Sequence, residues 1–167
     1  NDWHIGRLFD MWASQAGYPM ISIERIANRF LLTQKRHRVN NGEIYAVPVT
    51  FATKTNKNFD EKTPKAWMTS ESITISTETA NFSAGDWIIL NLQQVGYYRV
   101  DYSTELWHSI INQLTTSHEE IHAINRAVLQ DEIYIAWIEF DRVEVGDVLD
   151  FLEYLVDEEY HISWTKA

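Results

Sequence analysis

The spacing of apolar residues changes once along this chain, near Ser103, and that switch limits what the chain can fold into. Before it, from Tyr18 to Tyr102, short runs rich in Val, Ile, Thr, Tyr and Phe alternate with turn residues, the texture of strands. Strands are predicted at about 20–27, 29–36, 45–53, 72–76, 87–91 and 96–101. Turn signals separate them at Asn40-Asn41-Gly42, Asn56-Lys57-Asn58, Thr63-Pro64 and Ala84-Gly85-Asp86. Ile73 and Ile75 alternate with Ser72, Thr74 and Ser76, which suits one buried face, whereas Trp87 to Leu90 is apolar on both faces. After the switch the apolar spacing is three and four. Leu106, Trp107, Ile110, Ile111 and Leu114 mark a helix that Ser103 can cap, with Glu105 favourable in its first turn. A second helix is predicted over 118–139 and a third over 144–157, with Val145, Val148, Leu149, Leu152, Leu155 and Val156 in its stripe. Tyr160 to Trp164 opens a fourth. The expected fold class is β then α: a small antiparallel β-sandwich followed by antiparallel helices, the start of an α-helical superhelix.

A further amphipathic helix precedes the strands, with Trp3, Ile5, Leu8, Phe9, Trp12 and Ala16 on its apolar side. Gly17 stops it and Pro19 follows two residues later. Three parts are therefore expected: a terminal helix at 1–17, a sandwich at 18–102 and helices at 103–167. Charge divides along the same line. Residues 1–102 carry 11 Lys+Arg and 10 Asp+Glu, while residues 103–167 carry 3 and 14. The net charge of −10 argues against nucleic acid as a partner, because a phosphate backbone needs a basic surface. With no cysteine, disulfides, thiolate metal sites and a Cys nucleophile are excluded. No apolar run approaches a membrane span. Asn1-Asp2-Trp3-His4 resembles no signal peptide and reads as the middle of a helix, so a piece of a longer protein is expected.

One short motif carries a sharp chemical suggestion. Ser117-His118-Glu119-Glu120-Ile121-His122 contains H-E-x-x-H. In a continuous helix His118 and His122 lie on one face and could bind one Zn²⁺, with Glu119 activating the metal-bound water. The third ligand of one large class would fall at Asp141, an Asp where that class has a Glu. The same residues read equally as a capping box, Ser117 to the backbone of Glu120 and Glu120 back to Ser117, with two acids at the positive end of a helix dipole. A zinc centre needs its ligands held in a dry, shaped cavity, and a first helical turn does not supply one. The motif is therefore expected to be a decoy and not a metal site.

Other candidates are thinner. His4, His37, His108 and His161 have no partner at ligand spacing. Lys35-Arg36-His37-Arg38 reads as a solvated strand end before it reads as an anion site. Glu132 with Glu139, and Asp157-Glu158-Glu159, read as solvated helix faces before they read as paired catalytic carboxylates. Seven Trp and eight Tyr fit core packing better than a carbohydrate platform. Asn81-Phe82-Ser83 is the one Asn-x-Ser/Thr sequon and makes Asn81 the glycosylation candidate.

Several longer motifs resemble one family, in order along nearly the whole chain. Trp12-Ala13-Ser14-Gln15-Ala16-Gly17-Tyr18-Pro19 resembles the segment where the catalytic domain of aminopeptidase N-type zinc aminopeptidases meets a β-sandwich. Phe30-Leu31-Leu32-Thr33-Gln34-Lys35-Arg36 and Tyr45-Ala46-Val47-Pro48-Val49-Thr50 are similar to two strands of that sandwich. Val95-Gly96-Tyr97-Tyr98-Arg99-Val100-Asp101-Tyr102 is similar to the motif that ends it. Asn125-Arg126-Ala127-Val128-Leu129-Gln130-Asp131-Glu132 resembles the helix opening the C-terminal helical domain, and Tyr154-Leu155 through Glu159-Tyr160 to Trp164 resemble the end of the next helices. The flavour is that of the insect midgut members.

The resemblance implies a gluzincin metallopeptidase whose own H-E-x-x-H, and the residues that bind the substrate amino group and stabilise the transition state, lie upstream of everything here. No catalytic residue carries over to any position of this sequence, and no cofactor is expected in this chain, the zinc belonging to the missing catalytic domain. Inactivity of the chain alone is the expectation. The resemblance also implies a membrane-anchored extracellular glycoprotein, with the missing catalytic and C-terminal domains as partners. A second expectation is a stand-alone binding module, since insect members serve as receptors for bacterial toxins; the loops at 40–42, 54–64 and 77–86 are its candidate surface. Apolar stripes left without neighbours imply self-association. The remaining alternative is an autonomous zinc peptidase built on His118, Glu119, His122 and Asp141.

Overall fold

The structure, a computed structural model, describes residues 5–36, 44–78, 80–83 and 85–165. The turn expected at Asn40-Asn41-Gly42, the run His37-Arg38, and His4 lie outside them. The chain opens with helix α1 (Ile5–Ala13). Gly17 ends that segment at φ 92, a left-handed conformation that glycine adopts without steric cost. Among the described residues eight strands follow: β1 (Pro19–Ile26), β2 (Arg29–Arg36), β3 (Val47–Val49), β4 (Phe51–Thr53), β5 (Ala66–Met68), β6 (Ser72–Ser76), β7 (Ile88–Leu90) and β8 (Arg99–Tyr102). The helices are α2 (Thr104–Ser117), α3 (Ala123–Ile138), α4 (Val145–Leu152) and α5 (His161–Trp164), with 3-10 turns at Leu92–Gln94, His118–Glu120 and Glu153–Asp157.

The β-then-α order is as the sequence predicts. Small, largely antiparallel sheets precede the helices: one of four strands in the order β6-β2-β1-β8, and two ladders, β3-β5 and β4-β7. One pairing is not antiparallel. β1 runs parallel to β8, Met20 opposite Arg99 and Ile23 opposite Tyr102. A parallel pair needs a long crossover, and the intervening strands provide it. The run 45–53, which reads as one strand in the sequence, is two. Thr50 separates them: its carbonyl accepts from Asn91 N at 3.0 Å and its Oγ1 from Leu92 N at 2.9 Å. The chain thus leaves the partner β5 at Val49 and takes up β7 at Phe51. β5 is not among the predicted strands, because three residues carry no readable alternation. β7 is buried on both faces, as its composition predicts.

Strands and helices close on one hydrophobic core. Trp87, Trp107, Tyr45, Tyr102, Phe30 and Phe151 are its largest apolar members. Tyr102 at the end of β8 meets Trp107 of α2 edge-on at 5.2 Å, and Trp107 meets Phe151 of α4 at 6.3 Å. Three aromatic rings therefore carry the core from the sheet into the helices. Ser103 occupies the cap position of α2 with extended φ and ψ, yet its hydroxyl makes no cap hydrogen bond. The helix starts instead from the Ser103 carbonyl, which accepts from Trp107 N at 2.9 Å. The predicted third helix relaxes into a 3-10 turn after Leu152, and only part of its stripe packs. Phe151, Tyr154 and Leu155 are buried, while Val145, Leu149 and Val156 are exposed.

Candidate functional site

The H-E-x-x-H residues do not lie on one helix. α2 runs through to Ser117, His118–Glu120 is a separate 3-10 turn, and Ile121 is extended at φ −100, ψ 128. Ile121 is fully buried, and its burial holds the break. α3 then begins at Ala123 with His122, not Ser117, as its cap: His122 Nδ1 accepts from Ile124 N at 3.2 Å. The expected capping box is absent, and Ser117 Oγ donates to Glu119 Oε1 at 2.8 Å instead. The His118 ring lies 5.6 Å from Tyr154 and the His122 ring 6.2 Å from Phe59, so the two imidazoles serve different packing layers. Partial burial lowers the basicity of His122. Asp141 sits elsewhere, exposed at φ 52, in a cleft of ≈ 420 Å³ with Thr104, His108, Arg142 and Asp147. Among the described residues no group of three or more His, Asp or Glu could hold a metal ion. The zinc that the H-E-x-x-H motif suggests does not fit these residues, because one imidazole nitrogen caps a helix and Asp141 belongs to a different cleft.

The remaining candidates disperse in the same way. His108 Nε2 lies 3.3 Å from Asp147, and His161 opens the four-residue α5. Glu139, Asp157 and Glu159 are exposed, but Glu132 and Glu158 are buried, which corrects their reading as solvated helix faces. Asn81 is exposed in the loop between β6 and β7.

What the motif residues do assemble is a buried polar junction between the sheets and the helices. Asn125 of α3 donates to the carbonyl of Asn91 at 3.2 Å and accepts from Gln93 N at 2.9 Å. Asn91 takes the left-handed conformation, φ 56, that Asn tolerates better than most residues. Its side chain donates to the carbonyls of Gly96 and Tyr98 at 2.9 and 3.0 Å and accepts from Gly96 N at 2.8 Å. This pins the turn that delivers β8. On β8, Asp101 takes a two-pronged contact from Arg142 at 3.1 and 2.9 Å, tying the strand to the end of α3. The Tyr102 hydroxyl oxygen accepts from Leu90 N of β7 at 3.1 Å.

Two carboxylates in the junction have opposite electrostatics. Glu158 is buried, which by itself raises its pKa. The paired hydrogen bonds of Arg126 and the Tyr160 N–H overcome that and hold it down at about 2. Glu132, 4% exposed, has weaker support: Oε1 lies 3.5 Å from Arg99 Nε and 3.4 Å from Val100 N, and Oε2 makes no hydrogen bond among the described residues. Burial dominates there and pushes the carboxyl up to about 7 against the pull of Arg99.

Beside the junction an open cleft of ≈ 620 Å³ is lined by Tyr18, Gln94, Val95, Gly96, Tyr97, Tyr98 and Arg99. It offers aromatic and backbone surface, and its one cation is engaged by Asp131 and Glu132. Among the described residues the lining contains no carboxylate, imidazole or hydroxymethyl group. Periodicity missed the junction residues because a buried Asn, Arg or Glu in a helix reads the same as an exposed one. The signal available was the pairing of Asn125-Arg126 with Glu132 on one helix.

Residues 87–167 match the family model of the ERAP1-like C-terminal domain. The whole chain is also similar to aminopeptidases. It is 30% identical to aminopeptidase N of Plutella xylostella over 99% of the chain and 18% of the relative. It is 29% identical to aminopeptidase Ey of Gallus gallus, over 98% of the chain and 17% of the relative. With the membrane alanyl aminopeptidase of Heliothis virescens it shares 27% identity over 100% of the chain and 17% of the relative. The chain thus spans under a fifth of the length of the curated relatives it matches.

Proposed function

We infer that this chain is a non-catalytic part of a membrane-anchored zinc aminopeptidase that removes N-terminal amino acids from peptides. Its role is scaffolding: the strand region carries the helices in a fixed position through the Asn91–Asn125, Asp101–Arg142 and Arg99–Glu132 contacts. The observation that carries this reading is that the motif residues converge on a buried junction, whereas the peptidase-like motif is split across a 3-10 turn and an extended residue. Relatives named as membrane aminopeptidases and as an ectoenzyme support an extracellular position. No helix of the described residues is long and apolar enough to cross a membrane.

Kinetics of the longer protein test the proposal. Glu119→Gln is expected to leave kcat/KM within about twofold of the parent, since the carboxylate plays no chemical part. Asn125→Ala, which unpairs the buried Asn91 carbonyl and the part-buried Gln93 N–H, is expected to lower thermal stability and activity together. A loss of about a hundredfold or more with Glu119→Gln, at unchanged stability, is what a catalytic base gives and overturns the reading.

A further inference from the structure

We propose that Asn81 is an N-glycosylation site, a modification that rests on the extracellular reading above. The sequon Asn81-Phe82-Ser83 lies in the loop between β6 and β7. Its middle residue is an anchor. The Phe82 ring meets Phe30 of β2 edge-on at 4.7 Å, and the Arg25 guanidinium of β1 lies 5.3 Å from its centroid. The flanking residues are exposed. Their backbone is fixed on both sides: Asn81 N donates to the Glu78 carbonyl at 3.1 Å, Phe82 N to Thr77 at 2.9 Å, and Ser83 N to Asp86 Oδ2 at 2.9 Å. Thr55 Oγ1 donates to the Asn81 carbonyl.

The Asn81 side-chain amide, by contrast, makes no hydrogen bond among the described residues. At φ 50 the residue occupies the left-handed region, where Asn is favoured and a bulky side chain is not. The loop therefore presents the acceptor amide and the Ser83 hydroxyl that the transfer requires two residues on, and it accommodates a sugar without disturbing the core. In the transfer, the amide nitrogen of Asn81 attacks the anomeric carbon of an oligosaccharide carried on a lipid pyrophosphate. A C–N bond forms, the C–O bond to phosphate breaks, the pyrophosphate leaves with the electron pair, and the amide gives up one proton.

The test uses the longer protein made in a secreting eukaryotic cell, with mass spectrometry of the peptide containing Asn81 and labelling of intact cells by an impermeant amine reagent. The expected result is a glycan on that peptide, lost in Asn81→Asp and in Ser83→Ala and kept in Ser83→Thr. Asn81→Asp tolerates the left-handed turn, and Ser83→Ala leaves Asn81 untouched, so loss in both separates transfer chemistry from folding. A surface-labelled protein with unmodified Asn81 overturns the site and leaves the extracellular reading standing. A protein that is neither labelled nor modified overturns both.

Discussion

Arg126 of α3 holds Glu158 with two hydrogen bonds, Nε to Oε2 at 2.6 Å and Nη2 to Oε1 at 2.7 Å. The same guanidinium donates from Nη1 to the carbonyls of His118 and Ile121. One buried side chain, 2% exposed, thus joins the break after α2, the first turn of α3 and the segment leading into α5. A planar fork with five donors can do this and an ammonium cannot.

Removing one member of that pair leaves the other charge buried and alone. Glu158→Leu is expected to destabilise by about 3–5 kcal/mol, read from urea unfolding, and Arg126→Met by a comparable amount. The double variant Arg126→Met/Glu158→Leu is expected to recover much of the loss, since apolar replacement of a whole buried pair is often close to neutral. Equal losses in single and double variants contradict this account of the pair.

Glu132 makes stability depend on pH in the opposite sense to an ordinary carboxylate. Its pKa is raised from 4.5 to about 7 on folding, so between those values the folded chain binds the extra proton. Stability from this group is therefore greatest below pH 4.5 and declines as pH rises to about 7, by on the order of 3 kcal/mol. Glu158, lowered from 4.5 to about 2, contributes stability above pH 4.5 that is lost as pH falls towards 2. Unfolding measured from about pH 4.5 to about pH 8 is expected to show the decline in the parent and a flatter profile in Glu132→Gln. An unchanged profile in that variant contradicts the assignment.

Gly96 stands where the turn before β8 passes the Tyr98 ring. A Cβ added there would collide with Tyr98 Cε1 and approach Asn91 Oδ1 at 3.2 Å. Gly96→Ala is expected to cost about 1–3 kcal/mol by overpacking, and Gly146→Ala, with open space around it, much less. Thermal melts of the two variants separate the cases; a Gly96→Ala protein that melts with the parent contradicts the close approach of this turn to Tyr98.

Apolar side chains remain uncovered on the helical part. Val156 is 86% exposed, and Leu149, Tyr160, Ile162 and Trp164 are exposed too. The chain alone is expected to self-associate with rising concentration in sedimentation velocity, and Leu149→Glu/Val156→Glu to suppress it. A monomer at all concentrations speaks against these faces as contact surfaces.

The period switch near Ser103 makes the β-then-α order legible, because periodicity reports burial directly. Boundaries set by tertiary contacts are not legible. Thr50 splits one apparent strand by bonding Asn91 and Leu92, residues far along the chain. Ser117-x-x-Glu120 has the letters of a capping box, yet Ile121 is buried and draws the start of α3 to His122. Glu132 and Glu158 read as solvated because their partners, Arg99 and Arg126, are brought in by the fold. The family resemblance supplies what periodicity does not: that Asn125, Arg126 and the Tyr97-Tyr98-Arg99 run matter.

The most direct test of the central claim is the zinc content of this chain, measured by elemental analysis after dialysis without chelator. A separated His118 and a helix-capping His122 predict well under one zinc per chain, unchanged in His118→Ala/His122→Ala. One tightly bound zinc per chain, lost in that double variant, contradicts the account and makes these residues a metal centre.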